Sequence, residues 1–86
     1  MAITVKIPLV KYIKMNSLDK AIGKKIISDT GGSSGEFYYI DILGICRTKN
    51  GRDITTAHQA YIEIVVESYW DAVKLMESYG TTKITL

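Results

Sequence analysis

The sequence predicts an α+β domain. Its expected architecture is a four-stranded antiparallel sheet with two helices on one face, in the order strand, helix, strand, strand, helix, strand. Three observations carry this. Ala60, Ile62, Ile64 and Val66 alternate with Gln59, Tyr61, Glu63 and Glu67, the period of two that turns one set of strand side chains toward a core. The period then lengthens, and Tyr69, Ala72, Val73, Met76 and Tyr79 recur at three and four residues, one face of a helix. Asn50-Gly51, between two apolar runs, marks a hairpin turn because this pair tolerates positive φ.

Taken in order, Ile3, Val5 and Ile7 alternate with Thr4 and Lys6 as a short strand. Pro8 stops that strand or bulges it, since proline cannot donate to a central ladder. Leu9 to Lys14 is open between a bent continuation and a break. Asn16-Ser17-Leu18-Asp19 has the composition of a helix start, and Leu18, Ala21, Ile22 and Ile26 share one face opposite Lys20 and Lys24. Gly23 weakens this predicted helix by ~1 kcal/mol relative to alanine. Asp29 to Gly35, DTGGSSG, reads as a linker. It lacks the Gly-Lys-Ser/Thr ending of a phosphate-binding loop and is expected to run from a helix into a strand.

Glu36 to Thr48 is the second long strand, turning at Lys49-Asn50-Gly51-Arg52 into the strand beginning at Ile54. A two-residue loop would bring Asp41 onto the face of Ala60 and Ile62, where an unpaired carboxylate costs several kcal/mol. A three-residue loop with Gly51 in a bulge avoids this. It sets Tyr38, Ile40, Ile42 and Cys46 on the face of Ile54, Ala60, Ile62 and Ile64. Ser68 with Asp71 three residues on is a capping pattern for the second helix, and Gly80 is its expected left-handed stop. Thr81 to Leu86 closes the sheet, with Ile84 and Leu86 inward and Lys83 outward.

This element order resembles the ferredoxin-like βαββαβ superfold with a long central hairpin, over the whole chain. The resemblance is one of order, not of motifs, and so implies a topology without an activity.

Residues 1–86 suffice for one domain. No apolar run approaches the length of a bilayer span, and Lys6, Lys11 and Lys14 interrupt any signal-peptide core. Cys46 is the single cysteine, so no intrachain disulfide can form; a cytoplasmic location and no membrane partner are expected. The net charge of +2 is uneven. Six lysines against Asp19 give residues 1–28 a charge of +5, while three lysines and two arginines against eight acids give residues 29–86 a charge of −3.

His58 is placed on the core face of the third strand with no second histidine or carboxylate cluster at ligand spacing, so no catalytic residue, metal or cofactor is expected. The outward sheet face should carry Thr4, Lys6, Phe37, Tyr39, Asp41, Leu43, Ile45, Tyr61, Glu63, Val65 and Lys83, unusually apolar for a wetted surface. RNA-recognition domains stack bases on that face. Their third strand needs a basic residue, a glycine and spaced aromatics, which Gln59 to Ile64 lacks. Because long strands outreach helices of equal residue count, the central hairpin should project beyond them. The leading functional expectation is a non-enzymatic protein-interaction module, a homodimer or larger assembly, using Tyr39, Leu43, Ile45, Tyr61 and Val65. The alternative is a nucleic-acid-binding protein using Lys11, Lys14, Lys20, Lys24, Lys25, Arg47, Lys49 and Arg52.

Overall fold

Pro8 marks the first change of structure. The computed structural model describes residues 2–81 and 83–85. Strand β1 (Ile3–Pro8) buries Ile3, Val5 and Ile7 and passes directly into helix α1 (Leu9–Asn16). Proline lacks the amide that a helix start leaves unpaired anyway, so it opens a helix as readily as it ends a strand. Leu9 and Tyr12, three residues apart, form the buried face of α1. The predicted helix after Asn16 is absent. Asp19–Ala21 makes a single 3₁₀ turn, Gly23 takes φ +86°, and the chain continues as β2 (Lys25–Ser28). The spacing of Leu18, Ala21, Ile22 and Ile26 imitated a helical face, but the β-branched pair Ile26-Ile27 lies in a strand.

The next segment overturns the single four-stranded sheet and its long central hairpin. The predicted strand 36–48 is three pieces: β3 (Ser34–Glu36), β4 (Tyr39–Ile40) and β5 (Ile45–Arg47). The predicted strand beyond the turn is β6 (Asp53–Thr56), a 3₁₀ turn at Ala57–Gln59, and β7 (Ala60–Val66). Helix α2 (Tyr69–Tyr79) and β8 (Ile84–Thr85) complete the order. Two sheets result: a five-stranded one in the order β3-β2-β7-β1-β8, and a three-stranded one in the order β4-β5-β6. Every pairing is antiparallel.

Asp41 explains the break. Its Oδ1 accepts the amides of Leu43 (2.8 Å) and Ile45 (3.0 Å), and its own amide donates to the Ile45 carbonyl at 3.0 Å. Gly44 closes the turn at φ +80°. A side chain that bonds the backbone two residues on competes directly with a strand ladder.

The strand-to-helix unit follows its local signals. Ile62 and Ala60 face inward and Tyr61 and Glu63 outward, and Ser68 Oγ accepts the Asp71 amide at 3.1 Å. Gly80 ends the helix in the left-handed region at φ +62°. The turn at residues 48–52 has the bulged form. Gly51 N donates to the Thr48 carbonyl, Thr48 N to the Arg52 carbonyl, and Gly51 has φ +85°.

Both helices lie over the inward face of β1 and β7, and Tyr12 of α1 stacks on Tyr79 of α2 with ring centroids 5.9 Å apart. Asn16 Nδ2 joins them by donating to the Tyr79 hydroxyl (2.7 Å). Phe37, Cys46 and Ile54 bring the second sheet into the same buried cluster as Ile26 and Ile62. The hairpin therefore lies against the first sheet instead of projecting: Arg52 Nη2 donates to the Ser34 carbonyl of β3 at 3.2 Å. His58 is exposed in the 3₁₀ turn, not on a core face. Ile84 packs against the core, while Leu86 lies outside the described residues.

Candidate functional site

Two surfaces stand out, and the five residues expected to form one interface are divided between them. Tyr39, Leu43 and Ile45 belong to the three-stranded sheet and its turn, whereas Tyr61 and Val65 lie on the outer face of β7.

On the first surface, the Asp41 turn presents Ile42 and Leu43 at 99% and 76% exposure. Sequence parity had set Ile42 inward. The turn restarts the alternation, so Ile42 leaves the core and joins Leu43, expected outward, at the surface. Arg47 fixes the assembly from the adjoining strand, its Nε donating to Asp41 Oδ2 at 2.9 Å and its Nη1 to the Gly51 carbonyl at 2.9 Å. These bonds, led by the Ile45 amide, hold the Asp41 carboxyl below its usual range. Tyr39 is exposed at the opposite end of β4, where its hydroxyl approaches Gly51. Ile45 is half-buried.

The second surface is the outer face of the five-stranded sheet. Tyr61 is half-buried and Val65 exposed there. Lys83 Nζ sits 4.5 Å from the Tyr61 ring centroid. A cleft of about 420 Å³ opens beside Tyr61, with Lys6, Ile27, Asp29, Thr30 and Lys83 among its lining residues. Strand parity had indicated Lys6, Tyr61 and Lys83. Ile27, Asp29 and Thr30 escape it because the apolar spacing leading into β2 imitates a helix. Residues 29–33 likewise form a strand-to-strand loop, with Ser34 and Gly35 already in β3, and not a helix-to-strand linker.

The eight cationic residues of the nucleic-acid expectation are spread over α1, the 3₁₀ turn at Asp19–Ala21, the link to β2, β2 itself and the β5–β6 hairpin, and several are already engaged. Lys25 pairs with Glu63 at 3.4 Å and Arg47 with Asp41, Lys11 Nζ reaches the Gly80 carbonyl at 3.4 Å, and Arg52 holds Ser34. Lys14, Lys20 and Lys49 are exposed and Lys24 is half-buried.

Burial pushes the Cys46 thiol up to about 11, with the Asp41 carboxylate adding to the rise, so it is a protonated apolar filler at neutral pH. Among the described residues no group of three His, Cys, Asp or Glu side chains could hold a metal ion, and no helix is long and apolar enough to cross a membrane. Compared with known protein families, curated proteins and solved structures, the chain matches none.

Proposed function

We propose that this protein is a non-enzymatic interaction module that associates with a second copy of itself through the Ile42-Leu43 turn. The observation that supports this is two adjacent large aliphatic side chains held out by a turn that is fixed at both ends. Pre-organisation of this kind lowers the ordering cost of association. A flexible loop of the same composition would forfeit that advantage.

The magnitudes make the turn a centre and not the whole contact. Burying four aliphatic side chains, two from each copy, contributes roughly 6–12 kcal/mol at ~1.5–3 kcal/mol each. Association itself costs about 4–15 kcal/mol. A micromolar dimer therefore needs neighbouring surface as well, and the half-buried Ile45 adjoining the turn supplies apolar area there. Sedimentation equilibrium across a wide concentration range tests the reading. The expected result is a concentration-dependent dimer that Ile42→Asp with Leu43→Asp abolishes, because charges at the centre of an interface are desolvated without partners. A monomer at every concentration, or a dimer indifferent to the double substitution, would refute it.

A further inference from the structure

The cleft on the outer sheet face contains a pair of lysines whose backbones are locked together. Lys6 N donates to the Lys83 carbonyl at 2.9 Å, and Thr81 Oγ1 donates to the Lys6 carbonyl at 3.0 Å. The Lys83 amide in turn donates to Thr81 Oγ1 at 3.3 Å, and Thr81 is buried. One small hydroxyl thus reinforces the backbone register that sets both lysines along the same cleft.

Neither lysine has a carboxylate within ion-pair distance among the described residues. Glu63, the ladder neighbour of Lys6, is drawn to Lys25 instead. Lys83 lies over the Tyr61 ring, a weak hold at a wet surface that a stronger anion can displace.

The loop beside the lysines does not cradle an anion with its backbone. The amides of Asp29, Thr30 and Gly31 are all spent, on the Gln59 carbonyl, Ser28 Oγ and the Ser28 carbonyl. Anion recognition therefore rests on the ammonium groups. The loop contributes acceptors: the Asp29 carboxylate and the Thr30 hydroxyl, which shares one hydrogen with Ser28 Oγ at 2.8 Å.

The geometry points to a binding site for a small phosphate monoester with a hydroxylated body, a sugar phosphate or nucleoside monophosphate. The phosphate bridges Lys6 and Lys83, its hydroxyls donate to Asp29 and Thr30, and its less polar face lies on Tyr61 and Ile27. Two ammonium groups match the charge of one phosphate dianion. About 420 Å³ falls within the usual range for small-molecule sites. A polymer fits poorly, since further phosphates would meet Asp29 in the lining or Glu63, the ladder neighbour of Lys6.

The site is tested by following backbone amide resonances while titrating ribose 5-phosphate, adenosine monophosphate, adenosine and inorganic phosphate separately. Both phosphate monoesters should shift Lys6, Thr30, Tyr61 and Lys83. Adenosine and inorganic phosphate should each bind at least about tenfold more weakly, one lacking the charge and the other the body. Lys6→Gln and Lys83→Gln should each weaken the monoesters by about tenfold, while Lys20→Gln, outside the cleft, leaves them unchanged. Absence of shifts in the cleft, equal affinity for inorganic phosphate, or affinity unaltered in both cleft variants would overturn the proposal. So would a single-stranded oligonucleotide that binds the same residues more tightly than the monoesters.

Discussion

Phe37 offers the sharpest test of how the two sheets are joined. It is fully buried in the cluster that also holds Cys46 and Ile54 of the second sheet and Ile26 of the first. Its backbone ties the same junction, with its amide donating to the Lys24 carbonyl (2.9 Å) and its carbonyl accepting Gly23 N (2.7 Å). Truncating a buried phenylalanine costs about 3–5 kcal/mol, against ~4–13 kcal/mol expected for the whole 86-residue chain. Phe37→Ala should therefore consume a large share of the stability, and Phe37→Leu roughly 1–2 kcal/mol. Tyr39, two residues on but exposed, should tolerate alanine to within about 1 kcal/mol. Urea unfolding followed by far-UV circular dichroism measures all three. With a slope near 1–1.5 kcal/mol per molar, Phe37→Ala moves the midpoint down by roughly 2–5 M and Tyr39→Ala by less than about 1 M. A Phe37→Ala midpoint no lower than that of Tyr39→Ala would place Phe37 outside the core and separate the sheets.

Three further outcomes are expected. The Asp41 carboxyl is depressed in the fold, so its contribution is full above the ordinary carboxylate value and lost as pH falls through the lower folded value. Wild type should be more heat-stable than Asp41→Asn at neutral pH, and the difference in melting temperature should shrink as pH falls below the ordinary carboxylate range; a constant difference would contradict the depressed carboxyl. For Cys46 the sign is opposite. Its thiol rises from 9.0 to about 11, so folding loses stability as pH climbs through that interval, and thiol alkylation near neutral pH should accelerate only where urea opens the protein. Rapid labelling in the absence of denaturant would show that the thiol is not buried. Gly80→Ala should cost about 1 kcal/mol, or a melting temperature lower by roughly 4–8 °C, because φ +62° is strained for a side chain; an unchanged melting curve would mean the helix ends differently.

Where local chemistry was complete, the sequence was legible. Ser68, Asp71 and Gly80 start and stop α2 without help from distant residues, and Gly51 alone selects its bulged turn. Parity carried β1 and β7 for the same reason, since each is one unbroken strand. It failed in places from residue 36 to 48 because each turn resets which side chains face inward: Phe37, expected outward, goes in, and Ile42, expected inward, is fully out, while Tyr39 stays outward as expected. The cue was present, with aspartate first and glycine fourth in Asp41-Ile42-Leu43-Gly44, but alternation on either side masked it. Pro8 was ambiguous in principle, being compatible with both a strand end and a helix start. The pairing of Lys6 with Lys83 was invisible, since it depends on a hydroxyl 75 residues away along the chain.

The register of β1 has a consequence in time. Ile3 pairs with Val66, and Thr4 with Thr85. On a ribosome adding about 5–20 residues per second, β1 waits roughly 3–12 s for β7 to be synthesised. Throughout that interval Ile3, Val5 and Ile7 are an apolar segment without its β partners, a condition that favours pairing between nascent chains. Lys6 at its centre is a charge of the kind that discourages such pairing.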